Sequence, residues 1–330
     1  MDFKNGGFMM RIVVLDGYAL NPGDIDWQPL QDVGECEIYD RTPFNDKAEI
    51  LKRIGDARIV FTNKTPLDKE IINTAPNLKY IGVLATGYNV IDIAAANEAG
   101  VTVTNIPTYG TNAVAQFTFA LLLEITSHVG LHNDLVHQGE WTNNPDFSFF
   151  AKSLVELQGK TLGLVGIGRI AQKVAELGHA FGMNVIFYNH RPKEVEYDWL
   201  QQVNFDDLLS QSDVVSLHVP QTPDTTEIIN SSSLQKMKET AILINTARGG
   251  LINEQDVADA LNSKQLAAAA VDVAKHEPLN ADSPLLKANN CYITPHIAWA
   301  PQETRTRLLG IAVDNLTEFL AGRKKNIVTK

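Results

Sequence analysis

Residues 161–172 read TLGLVGIGRIAQ: an apolar run, two glycines two positions apart, and the opening of an amphipathic helix. Each small residue has its own reason to be there. Gly166 permits the tight turn off a strand, Gly168 lets backbone approach a pyrophosphate, and Ala171 takes the third small position, where helix and strand pack closely. The first amides of a helix have no partner within it, so those of Arg169 and Ile170 are expected to meet the phosphates. A second apolar run, NVIFYN at 184–189, follows and completes the strand–helix–strand unit that a dinucleotide turn requires.

Outward from that turn the pattern repeats in both directions. Downstream, helices predicted at Phe205–Gln211, Ser231–Met237 and Glu254–Leu261 alternate with the runs DVVSLHV, AILINTA, LAAAAVDV and CYITPHI. Upstream, RIVVLDG, CEIYD, ARIVFTN and LKYIGVLAT alternate with helices around Asp46–Ile54, Leu67–Thr74 and from Val90 onward. Runs that are apolar at consecutive positions mark strands covered on both faces. The expected class is therefore α/β, with two doubly wound parallel-sheet domains and a cleft between them. Thr111–His128 reads as a long helix apolar over much of its circumference, hence buried between domains, and Pro301–Ala321 as a last helix with no strand after it. If that helix returns to the first domain, residues 1–105 and 298–330 form a discontinuous substrate domain and 106–297 the cofactor domain.

The chain has 330 residues, 44% hydrophobic and 20% charged, the profile of about two globular domains. A formal net charge of −11 with one basic run, Arg323-Lys324-Lys325, argues against a nucleic-acid partner, whose phosphates demand clustered cations. No stretch reaches the roughly 18 apolar residues of a membrane span, and MDFKNGGFMMRIVV carries no apolar leader, so a cytoplasmic protein without a membrane partner is expected. Cys36 and Cys291 lie in strand-like runs without metal-ligand or redox spacing; free, buried thiols and no metal site are expected.

Three later segments, INTARGG, KHEPL and TPHIAWA, hold Arg248, Glu277 and His296. An imidazole supplies a proton, a carboxylate tunes it by favouring the imidazolium, and a guanidinium fork grips a carboxylate beside a carbonyl. Downstream of a dinucleotide turn, that set points to hydride transfer. The choice of nicotinamide rests on the loop after NVIFY, where NAD sites place an acid about 20 residues on. Asn189, His190 and Arg191 stand there instead. An Arg in that loop pairs with a 2′-phosphate, so NADPH is favoured, with NADH as the second option.

The chain resembles the D-isomer-specific 2-hydroxyacid dehydrogenases, most closely their glycerate dehydrogenase and hydroxypyruvate/glyoxylate reductase branch. The likeness spans nearly the whole sequence through ATGYNVID, IPTYGTNAVAQFTFALLLE, LVELQGKTLGLVGIGRIAQ, LHVPQTPDTT, INTARGGLINE, VDVAKHEPL and ITPHIAWA. It implies His296 as acid/base, Glu277 as its carboxylate partner and Arg248 as the substrate arginine, with Arg248 and His296 also beside the cofactor. Further cofactor contacts are implied at Thr111, Val219, Pro220, Thr225, Thr246, Ala247 and Asp272, the last near the nicotinamide carboxamide. On the first domain, the backbone of Ala85, Thr86 and Gly87 matches a loop that binds the substrate carboxylate, and Lys64 matches a lysine near the substrate.

The reaction so implied is reversible reduction of a small 2-oxo acid, hydroxypyruvate or glyoxylate, to the D-2-hydroxy acid. A homodimer is implied as well, with Thr111–His128 and the loop Trp141–Phe150 as its expected interface. D-lactate dehydrogenation is the alternative within the family. A dinucleotide-sensing corepressor, built on the same scaffold, is the alternative outside catalysis.

Overall fold

The computed structural model describes residues 10–330. The chain forms two compact units, one of residues up to Gly110 together with Ala300–Lys330, the other of Thr111–Trp299. These divisions come slightly later than the sequence placed them, because local bonds hold the intervening residues to one side. The Ile106 amide donates to Ala85 O (3.0 Å) and Tyr109 O accepts from Arg307 Nη1 (2.8 Å) within the first unit. Within the second, Asp272 accepts the Ala298 amide (2.8 Å) and His296 O the Trp299 indole N–H (2.8 Å).

In the first unit five parallel strands, β1 (Arg11–Val14), β2 (Glu35–Ile38), β3 (Ile59–Thr62), β4 (Tyr80–Val83) and β5 (Thr102–Thr104), run in the order β2-β1-β3-β4-β5. A short helix, α1 (Gln28–Gln31), lies between β1 and β2. Helices α2 (Lys47–Ile54), α3 (Lys69–Thr74) and α4 (Ile93–Glu98) each begin after an aspartate, and Asp46, Asp68 and Asp92 accept the amides of Glu49, Ile71 and Ala95. Such caps satisfy an otherwise orphaned amide and contribute about 1 kcal/mol each. The inward residues of these helices, such as Ile50, Ile71 and Ala95, form one core with Val13, Val60 and Ile81.

The second unit opens with α5 (Thr111–Ser127), ended by His128 at φ 48°, and α6 (Val129–His137), which the sequence had not marked. Its seven parallel strands are β6 (Thr161–Val165), β7 (Asn184–Tyr188), β8 (Leu200–Gln202), β9 (Val214–Leu217), β10 (Ile242–Asn245), β11 (Ala268–Val271) and β12 (Cys291–Ile293). Their order, β12-β11-β10-β9-β6-β7-β8, reverses at β6/β9, the switch point where doubly wound sheets bind nucleotides. β6, β9, β10 and β11 are buried almost throughout, the reason their sequences read as continuous apolar runs. One face packs on α5 and α7 (Arg169–Ala180), the other on α8 (Phe205–Gln211), α9 (Ser231–Leu234) and α10 (Glu254–Asn262).

Apolar side chains of α5 belong to the core of its own unit, where Phe119 stacks on Phe181 at 5.2 Å. Among the described residues no single helix is long and apolar enough to cross a membrane. The bent pair α5–α6 passes by length and composition, as a buried core helix also does.

The last helix, α11 (Gln302–Leu320), returns to the first unit. There Phe319 lies 4.9 Å from Tyr80 of β4, and Arg305, buried, forks onto Asp24 and also donates to Leu20 O (3.0 Å). Both cysteines are free and half-buried, and burial pushes Cys36 up to about 11 and Cys291 up to about 12.

Candidate active site

Within the second unit, nearly every residue expected to bind cofactor or act in catalysis follows the carboxyl end of a strand. Gly166 follows β6, Asn189 β7, Val219 β9, Thr246 to Arg248 β10, Asp272 and Glu277 β11, and His296 β12. Because all seven strands are parallel, these ends share one edge of the sheet.

At the glycine turn, Gly166 adopts φ +94°, and a Cβ there would stand 2.9 Å from His218 O. Only glycine fits both the dihedral and the approach. Gly168 is the N-cap of α7 and has no atom within 4 Å of where a Cβ would be. Open space thus lies beside a helix N-terminus, as a pyrophosphate needs, while Ala171 is fully buried against the sheet. These residues fit a dinucleotide. The loop after β7 is organised by Gln202, which sequence reasoning missed: its amide donates to Asn189 O (3.1 Å) and Arg191 O (3.3 Å) and accepts from the Lys193 amide (3.0 Å). His190 and Arg191 are exposed. Nothing in the sequence near β8 announces that brace, because it is a contact between neighbouring strands.

After β9, His218 bonds Ser216 Oγ (2.9 Å), and burial pushes its imidazole down to about 4. Val219 and Pro220 follow, and the Thr225 hydroxyl is engaged in its own turn, donating to Pro220 O (2.7 Å) and accepting from the Thr222 amide (2.8 Å). Thr111 is the first residue of α5. The Thr246 hydroxyl lies 3.0 Å from that of Thr118 of α5, buried.

Asn245, fully buried at the end of β10, shapes the next turn by donating to Arg248 O (2.9 Å) and accepting the Ala247 amide (3.1 Å). Arg248 is exposed and extended, with one N–H on Ala247 O (2.6 Å). Beside it, a Cβ on Gly249 would lie 1.9 Å from the Ala274 carbonyl carbon. That contact seats the arginine loop directly against the loop carrying Glu277, whose Oε1 accepts the Ala274 amide (3.1 Å).

Glu277 Oε2 bonds His296 Nδ1 at 2.8 Å, leaving Nε2 as the nitrogen free to exchange a proton. His296 holds φ +55°, a left-handed conformation that costs a non-glycine residue energy and persists only where surroundings fix it. Asp272 supplies that fixing. It is 1% exposed, and its carboxylate accepts the Thr294 hydroxyl (2.7 Å) and the amides of Ile297 (2.9 Å) and Ala298 (2.8 Å), the residues around His296. The expected carboxamide contact of Asp272 thus stands beside an observed role in holding the histidine loop.

Lys64 and Ala85–Gly87 belong to the first unit. Buried Asp16, which sequence reasoning missed, accepts the amides of Asn63, Lys64 and Thr65 at 2.6–2.7 Å and leaves the Lys64 side chain exposed. The amides of Ala85, Thr86 and Gly87 donate to no protein acceptor among the described residues, as an anion-binding loop requires.

Residues 119–298 match the NAD binding domain of the D-isomer specific 2-hydroxyacid dehydrogenases. A hydroxypyruvate reductase of Blautia hydrogenotrophica is 53% identical over 97% of this chain and 100% of its own. Among solved structures, a Thermus thermophilus protein is 38% identical with a TM-score of 0.85, over 97% of this chain and 100% of its own. An acyclic imino acid reductase in complex with NADPH and D-Arg is 31% identical with a TM-score of 0.82, over the same shares, 97% and 100%. The chain belongs to the D-isomer specific 2-hydroxyacid dehydrogenase family, nicotinamide-dependent oxidoreductases acting on the CH–OH group.

Proposed function

We propose that the protein reduces a small 2-oxo acid, hydroxypyruvate first and glyoxylate second, to the D-2-hydroxy acid, with NADPH preferred over NADH. The observation that carries this is the His296–Glu277 pair at 2.8 Å, on the same sheet edge as Arg248 and the glycine turn. The bound nicotinamide supplies the hydride. His296 Nε2 gives its proton to the carbonyl oxygen while Nδ1–H stays on Glu277, so the carboxylate stabilises the imidazolium and orients the ring. The free donors of Arg248 hold the substrate carboxylate and polarise the adjacent carbonyl. Lys64 and the amides of Ala85, Thr86 and Gly87 are assigned to the same substrate. Contacts to cofactor are assigned to Gly166, Gly168, Arg169, Ile170, Asn189, His190, Arg191, Val219, Pro220, Thr225, Thr246, Ala247 and Asp272, with Thr111 at the start of α5.

Hydroxypyruvate leads because the Blautia relative, named for that reduction, covers essentially the whole chain. NADPH leads because no carboxylate stands at residues 189–191 to repel a 2′-phosphate. Initial rates with both reduced nicotinamides against hydroxypyruvate, glyoxylate, pyruvate and 2-oxobutyrate test the reading. Oxidation with none of them overturns it, and kcat/KM for NADH at or above that for NADPH removes the cofactor preference.

We further propose a cytoplasmic homodimer. Two free cysteines suit a reducing compartment. Exposed apolar side chains gather on α6 and the segment after it, with Val129 64%, Trp141 53%, Phe147 92%, Phe150 74% and Leu154 58% exposed. A patch of that kind marks an association surface. The interface is thus assigned to α6 and residues 141–155, while α5 stays in its own core.

A further inference from the structure

We infer that Lys193 reads the 2′-phosphate of NADPH and that Gln202 is the positioning residue that aims it. The inference rests on the NADPH reading above. In doubly wound sheets, the pyrophosphate sits at the first helix N-terminus and the loop after the second strand reads the ribose 2′ position. Here that loop is residues 189–193, and its path is set from outside. Gln202 binds the carbonyls of Asn189 and Arg191 and the amide of Lys193, and Asn189 Nδ2 adds a bond to Arg191 O at 2.8 Å.

The consequence is at Lys193. Its ammonium lies 3.0 Å from the carbonyl of Ile167, the residue between the two turn glycines. Elsewhere on this acidic chain, the ammonium groups of Lys47, Lys69, Lys173, Lys236, Lys238 and Lys275 each pair with a carboxylate. Lys193 is bonded to a neutral oxygen and pairs with no carboxylate among the described residues, a bond that uses one of its three N–H donors.

The Ile167 carbonyl that holds it directly precedes Gly168, the N-cap of α7, so the ammonium stands beside the positive end of that helix. A cation beside a helix N-terminus is disfavoured by the dipole, and an anion bound in the same space offsets that cost. A phosphate meets that need, and the ribose-reading loop that carries Lys193 points to the 2′-phosphate. The sequence places this role on Arg191, whose backbone carbonyl is fixed by two donors, whereas the side chain that bonds the glycine turn is that of the lysine two positions later.

Calorimetric titration of the full chain with 2′-phospho-ADP-ribose and with ADP-ribose tests this. The wild type should favour the phosphorylated probe. Lys193→Ala should lower its affinity about tenfold or more, the range of a hydrogen bond to a charged group, and change ADP-ribose binding by less than about twofold, with salt dependence reduced for the first probe only. Gln202→Ala, which frees the loop, should lose an intermediate part of the same preference. Equal weakening of both probes by Lys193→Ala, or full retention of the preference, overturns the role of Lys193 while leaving the NADPH reading intact. A wild type without any preference overturns the NADPH reading itself.

Discussion

Replacing Gly249 by alanine should damage catalysis without unfolding the chain. A Cβ at that position would sit 1.9 Å from the Ala274 carbonyl carbon and 2.0 Å from its oxygen, whereas ordinary contact begins at 3.4 Å. The neighbouring atoms are backbone, so no side chain can rotate away, and the two loops must separate by about 1.5 Å. One of those loops presents Arg248 and the other Glu277, the anchor of His296. A misplacement of about 1 Å can cost about 100-fold, so kcat/KM should fall by at least about 100-fold. Overpacking costs about 1–3 kcal/mol, less than the roughly 5–15 kcal/mol stability of a folded domain, and the circular dichroism spectrum should stay native. Initial rates with hydroxypyruvate and NADPH read the first effect, and a thermal melt the second. Because Gly249 and Glu277 act on one geometry, adding Glu277→Gln should lower the rate by less than the product of the two single losses. A variant with kcat/KM within about threefold of the wild type would show that the contact does not position the site.

His296→Ala should reduce kcat by about two to four orders of magnitude, the usual weight of general acid catalysis; near-normal turnover would remove the proton-transfer role. His218 gives a pH signature. Desolvation holds its imidazole near 4, below the usual 6.5, so the unfolded chain binds the extra proton between those values. Stability should therefore be full above about pH 6.5 and decline as pH falls toward 4, by up to roughly 3 kcal/mol from this group. His218→Asn should flatten that part of a Tm-against-pH series, and an unchanged slope would refute the assignment. Phe150→Asp should convert a dimer to a monomer by light scattering, and a wild-type monomer would dispose of the proposed interface.

The strands were legible because a parallel sheet buried on both faces forces apolar residues at consecutive positions, as in β6 and β10. The missed elements lack that pressure: β8 is an edge strand with Gln201 and Gln202 exposed, and α6 has no buried residue. The carboxyl-end residues Arg248, Glu277 and His296 were legible as types in a fixed order. Their supports were not: Asp16, Asp272 and Gln202 hold loops 47, 25 and 13 residues away in sequence.

What the sequence by itself determined is the alternation of strands and helices, the glycine turn and the set of reactive side chains, since periodicity and backbone permissiveness are local properties. Only the tertiary structure decided which polar groups meet. The Asp272 clasp on the histidine loop, the glycine contact that seats Arg248 against the Glu277 loop, and Lys193 on the Ile167 carbonyl are long-range pairings. They exist because seven parallel strands bring remote loops to one edge, and no local pattern in the chain encodes them.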